Sequence, residues 1–151
     1  LVVACWNRHR DWTSNTQLNI ANFEGDAKPT PFGRRNLAAL YLMRAKPGDF
    51  AAADALLAEN ERVGVVESEG LRLRAVCALA AGDLPGAERR AREAVRLDEG
   101  NALAYRVLAA VRKAQGAAAE EVAALQARAA QLERERGRRG YEGNRRQFGQ
   151  K

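Results

Sequence analysis

Residues Ala80–Asn101 read AAGDLPGAERRAREAVRLDEGN. A Gly82-Asp83 pair stands before a run of small and aliphatic residues, and Asp98 with Gly100-Asn101 closes it. Leu84, Ala87, Ala91 and Ala94 recur every three or four residues, the spacing that gathers side chains on one helical face. Asp83 sits where a carboxylate can accept from the unpaired N–H groups that open a helix. Pro85 falls in the first turn, the one part of a helix that tolerates proline. The stretch therefore predicts a glycine turn followed by a capped helix of closely packed alanines.

The same glycine returns at Gly48 and Gly116, each 34 residues from Gly82. Before the three glycines stand RNLAALYLMRAKPG, EGLRLRAVCALAAG and ALAYRVLAAVRKAQG, each long enough for a helix of about three turns. Leu37, Leu40 and Tyr41 share a face in the first, Leu71, Ala75 and Ala78 in the second, and Tyr105, Leu108 and Ala109 in the third. After Gly48, Phe50, Ala53 and Leu57 mark another helix, which Asp49 is expected to cap as Asp83 caps its own. Ala117 replaces that aspartate in the third unit. The helix beyond it is longer and more charged, with a Val122, Leu125, Ala129, Leu132 stripe that could seal an array or pair with another helix. A fixed period of this length predicts a helix–turn–helix unit used repeatedly.

Composition agrees with an all-α fold. Of 151 residues, 46% are apolar and only 6% aromatic, with alanine dominant, which favours close helix packing over a β-sandwich. The two cysteines, Cys5 and Cys77, make neither a disulfide framework nor a zinc site. Residues 37–132 carry thirteen basic and thirteen acidic side chains, whereas residues 133–151 carry seven and three. A neutral body with basic ends disfavours nucleic-acid binding as the main role. His9 is the single histidine and has no nucleophile nearby in sequence, so it reads as structural or interfacial. No metal-ligand cluster or phosphate-binding glycine loop occurs, and Glu120-Glu121 reads as a first-turn pair favoured by the helix dipole. The chain is expected to be non-enzymatic and to need neither cofactor nor metal.

The three units resemble tetratricopeptide repeats (TPR), over roughly residues 34–132. Ala75, Ala87 and Ala94 fall where that 34-residue pattern wants small residues, and the three glycines fall at its turn. Arg74, Tyr41, Glu121 and Arg128 depart from it and leave the first and third registers looser than the second. The resemblance implies an all-α, TPR-like α-solenoid of about three helix–turn–helix repeats at 34–137. A partial repeat precedes it within 1–33, with Leu18 and Phe23 on its inner side, and a basic, disordered tail follows at 138–151. It also implies a concave groove built from the first helix of each unit. By register that groove takes Arg35, Ala38, Leu42, Ala45 and Lys46, then Glu69, Arg72, Val76, Leu79 and Ala80, then Leu103, Arg106, Ala110, Lys113 and Ala114. Its mixture of small apolar residues and cations fits a protein or peptide partner with acidic groups. Chaperone-binding members place Asn where this chain has Leu42, Val76 and Ala110, so a chaperone-tail clamp is not expected.

A second, looser resemblance lies at the start. The chain begins at Leu1 rather than Met and is expected to belong to something longer. LVVACW at 1–6 is too short to cross a bilayer but is compatible with the stump of a span. With Asn7, Arg8 and Trp12, and then Asn36 and Leu37, it looks like the junction where polytopic membrane glycosyltransferase-like proteins enter a TPR tail. That would imply a tail that positions an acceptor on the extracytoplasmic side, although Arg8 and Arg10 beside a span favour the cytoplasmic side. A third alternative is nonspecific binding of anions or nucleic acid by the basic C-terminal tail.

Overall fold

Proline, glycine and aspartate set the helix boundaries. The computed structural model describes residues 19–25 and 29–148, and among them it is entirely helical, without strands. Residues 19–24 form α1; α2 is Pro31–Arg44, α3 Asp49–Arg62, α4 Ser68–Ala80, α5 Leu84–Leu97, α6 Ala102–Ala114 and α7 Ala119–Phe148. The chain divides into two compact units, one up to Val66 and one from Glu67. The apolar start at 1–6, Cys5, the Trp-flanked segment with His9, and Leu18 lie outside the described residues.

In the first unit, Thr30 opens α2 by accepting the Gly33 N–H at 3.1 Å, with Pro31 at the first position. The helix ends early. Pro47 disfavours helical backbone at Lys46, and Ala45 takes a left-handed φ of 51°. Asp49 then plays a part that the local pattern did not predict. Instead of capping α3, its buried carboxylate turns back to accept the Lys46 N–H at 2.8 Å and two bonds from Arg44 at 2.6 and 2.9 Å. A bidentate guanidinium is a stronger partner than orphan amide groups. Leu37 and Ala38 of α2 and Ala53 and Leu57 of α3 are buried, so Ala38 belongs to the core rather than to a groove. In α1 the most buried residue is Ile20, while Phe23 is half-buried. A polar clamp joins the two ends of the α2–α3 hairpin. Asn60 donates to the Pro31 carbonyl at 2.8 Å and accepts from Arg34 Nε at 2.6 Å.

The second unit contains two hairpins whose turns share three equivalent hydrogen bonds. Around Gly82, the Ala81, Gly82 and Asp83 N–H groups donate to the carbonyls of Cys77, Leu79 and Ala78 at 3.0, 3.1 and 2.9 Å. Around Gly116, 34 residues later, Gln115, Gly116 and Ala117 donate to Val111, Lys113 and Arg112 at 3.0, 3.1 and 3.0 Å. Both glycines are left-handed, at φ 79° and 77°, which closes the turn onto the last carbonyls of the helix. Asp83 caps α5 as its sequence predicts, accepting the Gly86 N–H at 2.9 Å.

Between α4, α5 and α6 the core is built in three layers, each taking one buried residue from each helix. They are Leu71, Ala94 and Ala104; Ala75, Ala91 and Leu108; and Ala78, Ala87 and Val111. The three α5 alanines are fully buried, so this helix approaches its neighbours almost at backbone distance. Helix α7 closes the far side of α6 with Val122, Ala129 and Leu132, and Leu125 reaches the middle layer. Leu73 and Cys77 are buried as well, on the side of α4 opposite Ala75. The backbone of α7 stays helical to Phe148, where the sequence reading has an irregular tail from 138. Glu, Arg and Gln are good helix formers and carry the helix past Leu132, the last buried residue among the described side chains.

Candidate binding face

Of the groove residues expected from sequence, the second unit carries Arg72, Val76 and Leu79 on α4 and Arg106, Ala110 and Lys113 on α6. Arg72, Val76 and Leu79 are half-buried on α4. Arg72 is held by Glu69, three residues earlier, through bonds of 2.6 and 2.8 Å. Leu79 packs on the third core layer together with Val107 of α6. On α6, Arg106, Ala110 and Lys113 are exposed and stand one turn apart. They line one cleft of about 470 Å³, whose remaining walls are Ala109 and, from α7, Gln126.

The cations of this face are not equivalent. Arg106 is bonded to Glu133 of α7 at 2.8 Å, both partners being largely exposed. Lys113 has no hydrogen bond or ion pair among the described residues. An incoming carboxylate would therefore meet an unneutralised ammonium at Lys113, but would have to displace an existing one from Arg106. An exposed pair of the Arg106–Glu133 kind stabilises by about 0.2–1 kcal/mol, so displacement is cheap.

Just outside the cleft, a polar clasp fixes the far end of α6. Glu88 of α5 accepts from Arg92 and from Gln115 at 2.8 Å each, and lies 3.5 Å from Arg112. Arg112 in turn donates to Glu121 of α7 at 2.7 Å. The Gln115 bond, then Arg92, hold the Glu88 carboxyl below the usual range. Arg112 does the same for Glu121.

Arg35, Leu42 and Lys46 belong to the first unit. Arg35 stacks over the Phe32 ring at 5.0 Å, Leu42 is half-buried, and Lys46 is exposed. This unit has a cleft of its own, of about 490 Å³, lined by Pro29, Arg34, Tyr41, Ala52, Ala55, Leu56 and Glu59. At its edge the Tyr41 hydroxyl donates to Glu24 of α1 at 2.6 Å. Burial, and then this bond to a carboxylate, push the Tyr41 hydroxyl up to about 12.

Sequence register located Arg106, Ala110 and Lys113 on one line but could not supply Gln126 and Glu133. These come from the second helix of their hairpin, and no local spacing ties them to α6. Among the described residues, no group of three His, Cys, Asp or Glu side chains is placed to hold a metal ion. No described helix is long and apolar enough to cross a membrane. The chain matches no family profile and no curated protein sequence.

Proposed function

We propose that this chain is an interaction module whose stacked, TPR-like hairpins present the α4–α6 face to a protein or peptide partner carrying acidic side chains. The observation that carries this reading is the α6–α7 cleft. It has an alanine floor that admits backbone or a small side chain, an unneutralised Lys113 at one end, and an Arg106 that can exchange Glu133 for a ligand carboxylate. By register Val76 and Leu79 of α4 share the groove and would add apolar area to it, a combination that suits an amphipathic peptide. Binding here requires no rearrangement of the three core layers. In this reading the rigid alanine packing positions the groove and the cations choose the partner.

The test is a peptide array spanning acidic, neutral and basic sequences, probed with the purified chain and with Lys113→Glu. Acidic spots should retain the wild-type chain and lose the variant, whose melting temperature should be unchanged. Equal retention of both proteins, or no preference for acidic peptides, would refute the reading.

A further inference from the structure

Helix α7 is much longer than the helix it packs on. It has 30 residues and α6 has 13, or about 45 Å against about 20 Å at 1.5 Å per residue. Among its described side chains the last buried one is Leu132. From Glu133 to Arg139 every described side chain is exposed except the half-buried Glu135, while the backbone stays helical. This overhang is chemically biased. Residues 133–139 contain four arginines and two glutamates. Both glutamates are engaged, Glu133 with Arg106 and Glu135 with Gln131 Nε2 at 2.8 Å. Arg134, Arg136, Arg138 and Arg139 have no ion pair among the described residues.

The arrangement of these arginines selects a partner. At about 100° per residue, Arg134 and Arg138 fall on one flank of the helix and Arg136 and Arg139 on the opposite flank, while Glu133 and Gly137 occupy the side between them. A helix lying on a bilayer needs an apolar side to insert, and residues 133–139 contain no apolar side chain larger than Gly137. A peptide partner would neutralise only one face. A slot walled by phosphates on both sides matches two opposite basic flanks. The major groove of duplex DNA, about 12 Å wide, admits a single α-helix and is such a slot.

We propose that the α7 overhang, through Arg134, Arg136, Arg138 and Arg139, docks on the phosphates of duplex DNA. The four arginines are assigned to phosphate oxygens, which carry no sequence information, so the binding is expected to be indifferent to sequence and strongly dependent on salt. It is separate from the α4–α6 face, and the loss of either activity leaves the other in place.

The experiment is fluorescence anisotropy of the full chain with a labelled duplex of about 20 base pairs across roughly 25–200 mM KCl. Each phosphate contact contributes about −0.9 to the slope of log Kobs against log salt, so four arginines give a slope of about −3.6. Arg134→Gln with Arg138→Gln should make the slope shallower by about 1.8 and leave thermal unfolding unchanged. Three results would each overturn the proposal: no binding at the lowest salt, an unaltered slope in the double variant, or phosphatidylserine vesicles bound as tightly as DNA with the same arginine dependence.

Discussion

Gly82→Ala isolates what the repeated glycine does. A Cβ built on Gly82 or on Gly116 meets nothing within 4 Å, so alanine would cause no clash at either site. What remains is the backbone, because both residues hold a φ near 78° that L-residues rarely adopt. Left-handed backbone costs an L-residue about 1–2 kcal/mol. Replacing glycine also narrows the unfolded ensemble, which returns about 0.4–1 kcal/mol. The net loss expected lies in the range of about 0–1.6 kcal/mol per site, with a midpoint of about 0.8, read as a lower urea midpoint with an unchanged m-value. Gly116→Ala should lose the same amount, since its turn repeats the same three hydrogen bonds. The two losses should add, because the sites share no partner. D-Alanine introduced at position 82 by semisynthesis should abolish the loss, since its favoured φ has the required sign. A loss that persists with D-alanine would refute the assignment and point to a steric role. Gly86→Ala provides the contrast, because its Cβ would sit 1.9 Å from Asp83 Oδ2 and unseat the helix cap.

Three other outcomes are expected. Ala91→Leu forces bulk into the middle core layer and should destabilise the chain by about 1–3 kcal/mol in thermal melts; an unchanged melt would contradict the close approach of α5. The Arg44 bonds lower the Asp49 pKa, so its contribution is fully present above the ordinary aspartate value of 3.8 and is lost as pH falls through the folded value. Acid unfolding followed by circular dichroism should therefore show a shallower loss between about pH 4 and 2 for Asp49→Asn, which removes this titration. Glu133→Gln should leave the unfolding free energy within about 1 kcal/mol of wild type while raising affinity for acidic peptides, as Arg106 no longer needs to be vacated.

Much of the second unit could be read from its letters because local and tertiary demands coincide there. Gly82, Asp83 and Pro85 announce a turn, a cap and a first helical turn, and each takes that role. Ala87, Ala91 and Ala94 share a face and become the middle column of the core. The first unit was less legible where a distant or stronger partner overrides the local pattern. Asp49 has the same sequence position as Asp83, but Arg44 lies within reach and draws the carboxylate inward. Asn60 stands where the pattern has a small residue, yet it is buried because it bridges Arg34 and the Pro31 carbonyl. Leu73 and Cys77 escaped notice because α4 is covered on two opposite sides, which erases the single stripe that periodicity detects. At the binding face, register placed the α6 residues, but the pairing of Arg106 with Glu133 spans 27 residues and left no local trace. The α7 overhang was missed because its glycines and arginines resemble a tail, while its helical form depends on continuation from a well-packed start.

The matched turns at Gly82 and Gly116 carry a consequence for how this chain could change in length. Removing residues 83–116 would join Gly82 directly to Ala117, so the new junction reproduces a bond pattern already present and hands α4 the outer helix that α6 now has. A cut of any other size would rotate every later side chain away from its neighbours. Gains and losses of sequence here are tolerated only in whole hairpins, as beads are added to or taken from a string.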